Sequence, residues 1–150
     1  MPAWELLANI EELDKFAEEN TTGAEPVDFN ALYAETLAEL EITANALGVA
    51  VPGAPTRRQL IRDVLKAHWE AKTPIHLNGI LEILSHGDGV LVYAVDNYRL
   101  KSLSAYVPAS LIKRYGLQRG HSVDAVVHPP REGESCPCVI KVREVMGLNP

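Results

Sequence analysis

Apolar residues recur at three- and four-residue steps through the first half of the chain and at two-residue steps through the second. Over residues 3–19, Leu6 or Leu7, Ile10, Leu13 and Ala17 fall on one side with acids between them, which predicts an amphipathic helix. Residues 20–26, NTTGAEP, are rich in breakers and read as a linker. The same period resumes over 28–47, where Leu32, Leu37, Leu40, Ala44 and Leu47 share a side and Gly48 fits the position just past a helix end. Pro52, Gly53 and Pro55 force a short connection. Thr56 and Gln59 then make a capping box for a third helix over 56–71, with Leu60, Ile61, Val64, Leu65 and Trp69 on its apolar face and His68 beside it as a core or boundary histidine.

After Pro74 the period becomes two. Strands are predicted over 79–85, 89–95, 97–100, 105–107, 122–128 and 138–145, with a short helix, PASLIKRYGL, between the third or fourth strand and the last pair. Turn signals such as HGDG, RGHS and PPREGE separate them. The expected fold class is α+β: an N-terminal helical subdomain followed by a small five-stranded barrel of the oligonucleotide-binding type. The expected division is an acidic helix and linker over 1–26, a helical subdomain over 27–75 and a barrel over 76–150.

Charge sharpens this plan. Residues 1–48 carry 11 acids against one lysine, whereas residues 49–150 carry 9 acids against 13 lysines and arginines. An acidic front segment therefore precedes a basic body, within a net charge of −6. A solvated helical face accounts for such a charge run as well as a docking segment does. No apolar run approaches transmembrane length and no signal-peptide plan is visible, so a cytoplasmic location is expected. Cys136 and Cys138 are too few and too close for a disulfide framework.

Candidate chemistry is sparse. HGDG lacks the Gly-Lys-Ser/Thr end of a phosphate-binding loop. Cys136 and Cys138, with His128 or His121, have a C-x-C spacing that matches zinc knuckles poorly, and small apolar strand positions are the simpler role. No nucleophile–base set assembles, so no enzyme, cofactor or metal is expected. Cations remain at Arg99, Lys101, Lys113, Arg114, Arg119, Arg131, Lys141 and Arg143. Together with Tyr93, Tyr98, Tyr106 and Tyr115 they offer a conceivable nucleic-acid surface, although residues 76–150 balance 8 cations with 7 acids. The 56–71 helix is more basic, through Arg57, Arg58, Arg62 and Lys66.

The segments GILEILSHGDGVLVY, YVPASLIKRYGLQRGHSVDAVVHPPREGE and VIKVREV resemble the N-terminal region of bacterial transcription termination factor Rho, over roughly residues 35–148. The resemblance implies a helical subdomain before a cold-shock-like barrel that captures single-stranded, pyrimidine-rich RNA. It also implies loss. Where the family places two aromatics and an arginine, this chain has Asp88, Val90 and Val92; where it places an acid two residues before a retained tyrosine, it has Ser104 before Tyr106. Glu134 is kept, but Ser135 and Cys136 replace an Arg-Tyr pair. The implied RNA contacts are Tyr106 and Glu134, with Lys113, Arg114 and Arg131 supplying charge. The family's ATPase loop, G-x-x-x-x-G-K-[ST], does not occur in these 150 residues. Each base–aromatic stack is worth roughly 1–3 kcal/mol, so three lost rings imply a degenerate primary RNA site. Two functions follow as expectations: a single-stranded RNA module linked to termination, or a protein-interaction module built on the same scaffold, its partner met by the acidic helix or the altered barrel face.

Overall fold

The computed structural model describes residues 26–148 apart from 52, 86, 102, 131–133 and 135, together with Glu11, Lys15 and Glu18. The helix expected over 3–19 and its linker otherwise lie outside the described residues; Glu11, Lys15 and Glu18 are helical and exposed.

Where one helix was expected over 28–47, two form: α1 (Phe29–Tyr33) and α2 (Leu37–Ala46). Local hydrogen bonding outcompetes the apolar period. Asp28 caps α1 by accepting from the amides of Asn30 and Ala31. Thr36 caps α2 in a reciprocal box: its hydroxyl accepts from the Glu39 amide at 3.2 Å, and the Glu39 carboxylate accepts from the Thr36 amide at 3.1 Å. These two bonds also hold the Glu39 carboxyl below its ordinary range. Leu32, Leu40 and Ala44 are buried, but the break turns Leu37 and Leu47 outward. Gly48, at φ +74°, ends α2 as expected.

Helix α3 (Arg57–Glu70) starts at Thr56, whose hydroxyl accepts from the Gln59 amide. Leu60, Ile61, Val64 and Leu65 are fully buried, matching the apolar face read from sequence. Arg57 ties α3 to the α1–α2 turn by donating to the carbonyls of Tyr33 and Glu35, with its guanidinium 5.7 Å from the centre of the Tyr33 ring.

Strand β2 (Ile75–Ile83) follows directly, four residues earlier than its expected start. Two-residue β1 (Val27–Asp28) pairs with it in parallel, and Asn30 and Asn78 exchange two hydrogen bonds of 2.7 and 2.8 Å between α1 and β2. The barrel runs β2, β3 (Gly89–Val92), β4 (Ala105–Val107), β6 (Cys138–Val145), β5 (Ser122–His128), and β5 pairs back onto β2. Within this closed five-stranded ring only β4 and β6 run parallel, and helix α4 (Ala109–Tyr115) lies between β4 and β5. That topology is the oligonucleotide-binding barrel expected from the sequence.

The strand expected over 97–100 does not form. Tyr93 turns its ring inward, and the chain folds back in a short 3₁₀ turn over Ala94–Asp96, with Asn97 and Tyr98 left-handed at φ 53° and 57°. Tyr93 is buried, so it drops out of the surface rings considered above. Its hydroxyl donates to the Leu103 carbonyl and accepts from the Ala105 amide. Phe29, Tyr33 and Tyr93 form a triangle with all three centroid separations at 5.5 Å, and one continuous core joins helices and barrel.

Two glycines permit close strand approach. A Cβ at Gly79 would lie 2.9 Å from Leu91 Cβ; one at Gly89 would lie 2.8 Å from both the Glu82 carbonyl and Leu81 Cδ1. Gly89→Ala is expected to lower stability by roughly 1–3 kcal/mol through overpacking, read as a reduced urea midpoint at unchanged slope. A second expectation concerns alkali. Burial, then the hydrogen bond to Asp96 and its charge, pushes the Tyr33 phenol up to about 12, with Arg57 acting weakly against them. An unfolded phenol ionises near 10, so the unfolded state loses its proton first and stability falls as pH rises from 10 towards 12. Tyr33→Phe should flatten that fall in denaturation curves measured across the same range.

Candidate nucleic-acid interface

The turn after β2 places the first candidate position. The Leu84 amide donates to the Asp88 carbonyl at 2.7 Å, the Gly87 amide to the Leu84 carbonyl, and Gly87 takes φ +90°. Gly87 is thus the turn residue, while Gly89 serves strand packing. Antiparallel pairing then sets Val90 opposite Tyr106. Across this pair the Tyr106 hydroxyl donates to Asp88 Oδ2 at 2.6 Å. Burial first, then the Asp88 bond and charge, drives the Tyr106 phenol far above its ordinary value. Asp88 Oδ1 is buried and has no hydrogen-bond partner among the described residues, an arrangement that costs about 1–3 kcal/mol elsewhere.

Val90 and Val92 retain only 7% and 2% exposure, so neither offers a surface for a base, and an arginine at 92 would be buried. Ser104 is buried as well; its hydroxyl accepts from the Lys101 amide at 2.9 Å and closes the 101–104 turn. Cys136 is half-buried against the core, and burial raises its thiol. Glu134 is also half-buried. Lys113 and Arg114 occupy the last turn of α4, where cations favour the helix end, and the Arg114 guanidinium lies 5.5 Å from the Tyr115 ring centre. Arg131 and Ser135 lie outside the described residues. The structure therefore gathers Asp88, Val90 and Tyr106, assigns Ser104 to a turn and sets Lys113 and Arg114 on the barrel's helix.

A second feature lies on α3. Arg58, Arg62, Lys66 and Trp69 line a groove of about 840 Å³ whose other wall is His128, Pro129 and Pro130. The Trp69 and His128 rings meet edge to face at 4.6 Å. The basic character of this helix was visible in sequence; the opposing wall, far along the chain at His128–Pro130, was not. Two cations elsewhere are engaged: Arg119 pairs with Glu82 at 2.8 Å and Arg143 with Asp124 at 3.0 Å. Among the described residues, no three His, Cys, Asp or Glu side chains gather as a metal site, and no helix is long and apolar enough to cross a membrane. His121 accepts from the Gln118 amide, and His128 Nδ1 lies 2.6 Å from the Pro129 carbonyl.

The family described as "Rho termination factor, RNA-binding domain" matches residues 77–150, which begin two residues inside β2. The chain contains a Rho-like N-terminal region. Transcription termination factor Rho of Aquifex aeolicus is 34% identical over 119 residues, covering 79% of this chain and 27% of that protein. Rho of Escherichia coli K12 is 31% identical over 109 residues, covering 73% and 26%. Rho of Pseudomonas aeruginosa is 29% identical over 119 residues, covering 79% and 28%. The chain thus spans about a quarter of the length of these Rho relatives. Within the Rho-like barrel, the Asp88–Tyr106 bond is directly testable. Asp88→Ala removes the acceptor and charge that oppose phenol ionisation, so Tyr106 should titrate at lower pH. Ultraviolet difference titration of the variant against the parent, in the folded range, reads this as one additional ionising tyrosine.

Proposed function

We propose that this chain is a Rho-type single-stranded RNA-binding module linked to transcription termination, in which the inherited barrel face no longer takes bases. The observation that carries the reading is the 2.6 Å bond from Tyr106 to Asp88 beside buried Val90. A ring whose hydroxyl is tied to a carboxylate, on a face that places an acid and a valine where stacking rings are expected, offers a base little π surface and repels its phosphates. Tyr106 and Glu134, with Lys113, Arg114 and Arg131, are the inherited contacts in this reading; Asp88, Val90, Val92, Ser104, Ser135 and Cys136 are the positions where contacts are lost. We read residues 27–75 as the helical subdomain that supports the barrel over 76–150, with residues 1–26 as an acidic extension. No ATP hydrolysis is proposed for these 150 residues, which contain no Gly-Lys-Ser/Thr phosphate loop.

A second reading, a protein-interaction module in the cytoplasm, is favoured by the turn that replaces the expected 97–100 strand. Val95, Tyr98 and Leu100 stand exposed there within six residues of one another. Apolar side chains clustered in this way mark contact surfaces more often than scattered ones do.

Fluorescence anisotropy with oligo-C, oligo-U and single-stranded DNA across a salt series separates the readings. An RNA module binds single strands with an affinity that falls as salt rises, and without the cytosine preference of an intact pyrimidine pocket. Asp88→Phe with Val90→Phe, verified as folded by circular dichroism, should then raise oligo-C affinity, each recovered stack being worth roughly 1–3 kcal/mol. A clear preference for oligo-C over oligo-U by the parent chain would refute the closed face. A flat titration with every strand at low salt would leave the adaptor reading.

A further inference from the structure

We propose that the groove between α3 and the His128–Pro130 segment is a second single-strand site, in which Arg58, Arg62 and Lys66 hold successive phosphates of an RNA. The proposal rests on the RNA-binding reading and locates it away from the inherited barrel face.

The geometry of α3 is the first support. Four-residue steps place Arg58, Arg62 and Lys66 in one row, each about 6 Å further along the axis. The opposite side of the helix is filled by Leu60, Ile61, Val64 and Leu65, all fully buried, so the row faces outward. Arg58 and Lys66 are exposed and Arg62 is half-buried. Availability is the second support. Arg57, Arg119 and Arg143 are each committed to a carbonyl or carboxylate, whereas Arg58, Arg62 and Lys66 have no hydrogen bond or ion pair among the described residues. A cation without an internal partner gives up less on meeting a phosphate.

The far end of the row supplies the third support. Trp69 continues it by three residues, and with His128 it brings two rings into the groove wall beside Pro129 and Pro130. A track of cations leading to aromatic rings is the arrangement that single-strand binders use, with charge for the backbone and flat surfaces for bases. Asp63 and Glu70 also line the groove, on a neighbouring row with Gln59. Their oxygens can accept from ribose hydroxyls or base amino groups while the cationic row stays uninterrupted. The groove volume, about 840 Å³, accommodates part of a strand rather than a folded partner.

The test uses the full chain and a short labelled oligo-U. Replacing three surface cations, Arg58→Ala with Arg62→Ala and Lys66→Ala, leaves the core untouched, and a thermal melt verifies folding. We expect affinity to fall about tenfold or more, and the salt slope to fall by about two, since each single-strand phosphate contact contributes about 0.7. Removing Arg99, Lys101 and Lys141 instead should change affinity less than about twofold if the phosphates lie on α3. With the parent binding, an unchanged affinity and slope in the α3 variant would overturn the groove while leaving the RNA-binding reading intact. A parent chain that ignores RNA but binds a poly-glutamate peptide through these three cations would overturn both, and would assign the groove to an acidic protein segment.

Discussion

Everything in this molecule hangs on β2 pairing along both of its edges. Residues 75–80 bond to β5, and residues 80–83 bond to β3, so one strand closes the ring and must change direction as it passes from one neighbour to the other. Gly79 stands at that corner, where Leu91 and the Val92 carbonyl approach too closely for a side chain. The same strand carries β1 and receives the Asn30–Asn78 clasp from α1, so the helical segment is registered against the barrel by the element that closes it. The aromatic triangle of Phe29, Tyr33 and Tyr93 then fills the space between them.

Much of this was legible beforehand. The switch from a helical to an alternating period marked the two halves, and Leu60, Ile61, Val64 and Leu65 were correctly placed on one buried face. Two errors have specific causes. The apolar period over 28–47 concealed a T-x-x-E box at Thr36 that was itself present in the sequence; a capping pair redirects the backbone whatever the spacing of leucines. The 97–100 segment has β-forming residues, but Tyr93 must reach two backbone groups ten and twelve residues on, and that distant demand forces the chain into left-handed turns at Asn97 and Tyr98.

The candidate site divides in the same way. Resemblance to the Rho motif was enough to flag Asp88, Val90 and Tyr106, but not the bond between Asp88 and Tyr106, because that depends on cross-strand register and on how the 84–89 turn aims a side chain. The hydrogen bond commits the Tyr106 hydroxyl to Asp88, which residue identities alone do not reveal. The α3 groove was half-legible. Its cations sit at a helical spacing anyone can count, whereas its second wall comes from the end of β5 and becomes a neighbour only through folding.

Tyr93 has one more consequence. Its hydroxyl grips Leu103 and Ala105 together, so both ends of the excursion between β3 and β4 are fixed independently of what lies between them. Lengthening a loop whose ends are already pinned is cheap, about 0.6 kcal/mol per doubling. Added length at the tip carrying Val95, Tyr98 and Leu100 therefore costs the barrel little, while Asp96 within the excursion stays tied to the Tyr33 hydroxyl. A scaffold with one such clamped, replaceable tip can acquire new recognition without renegotiating its fold.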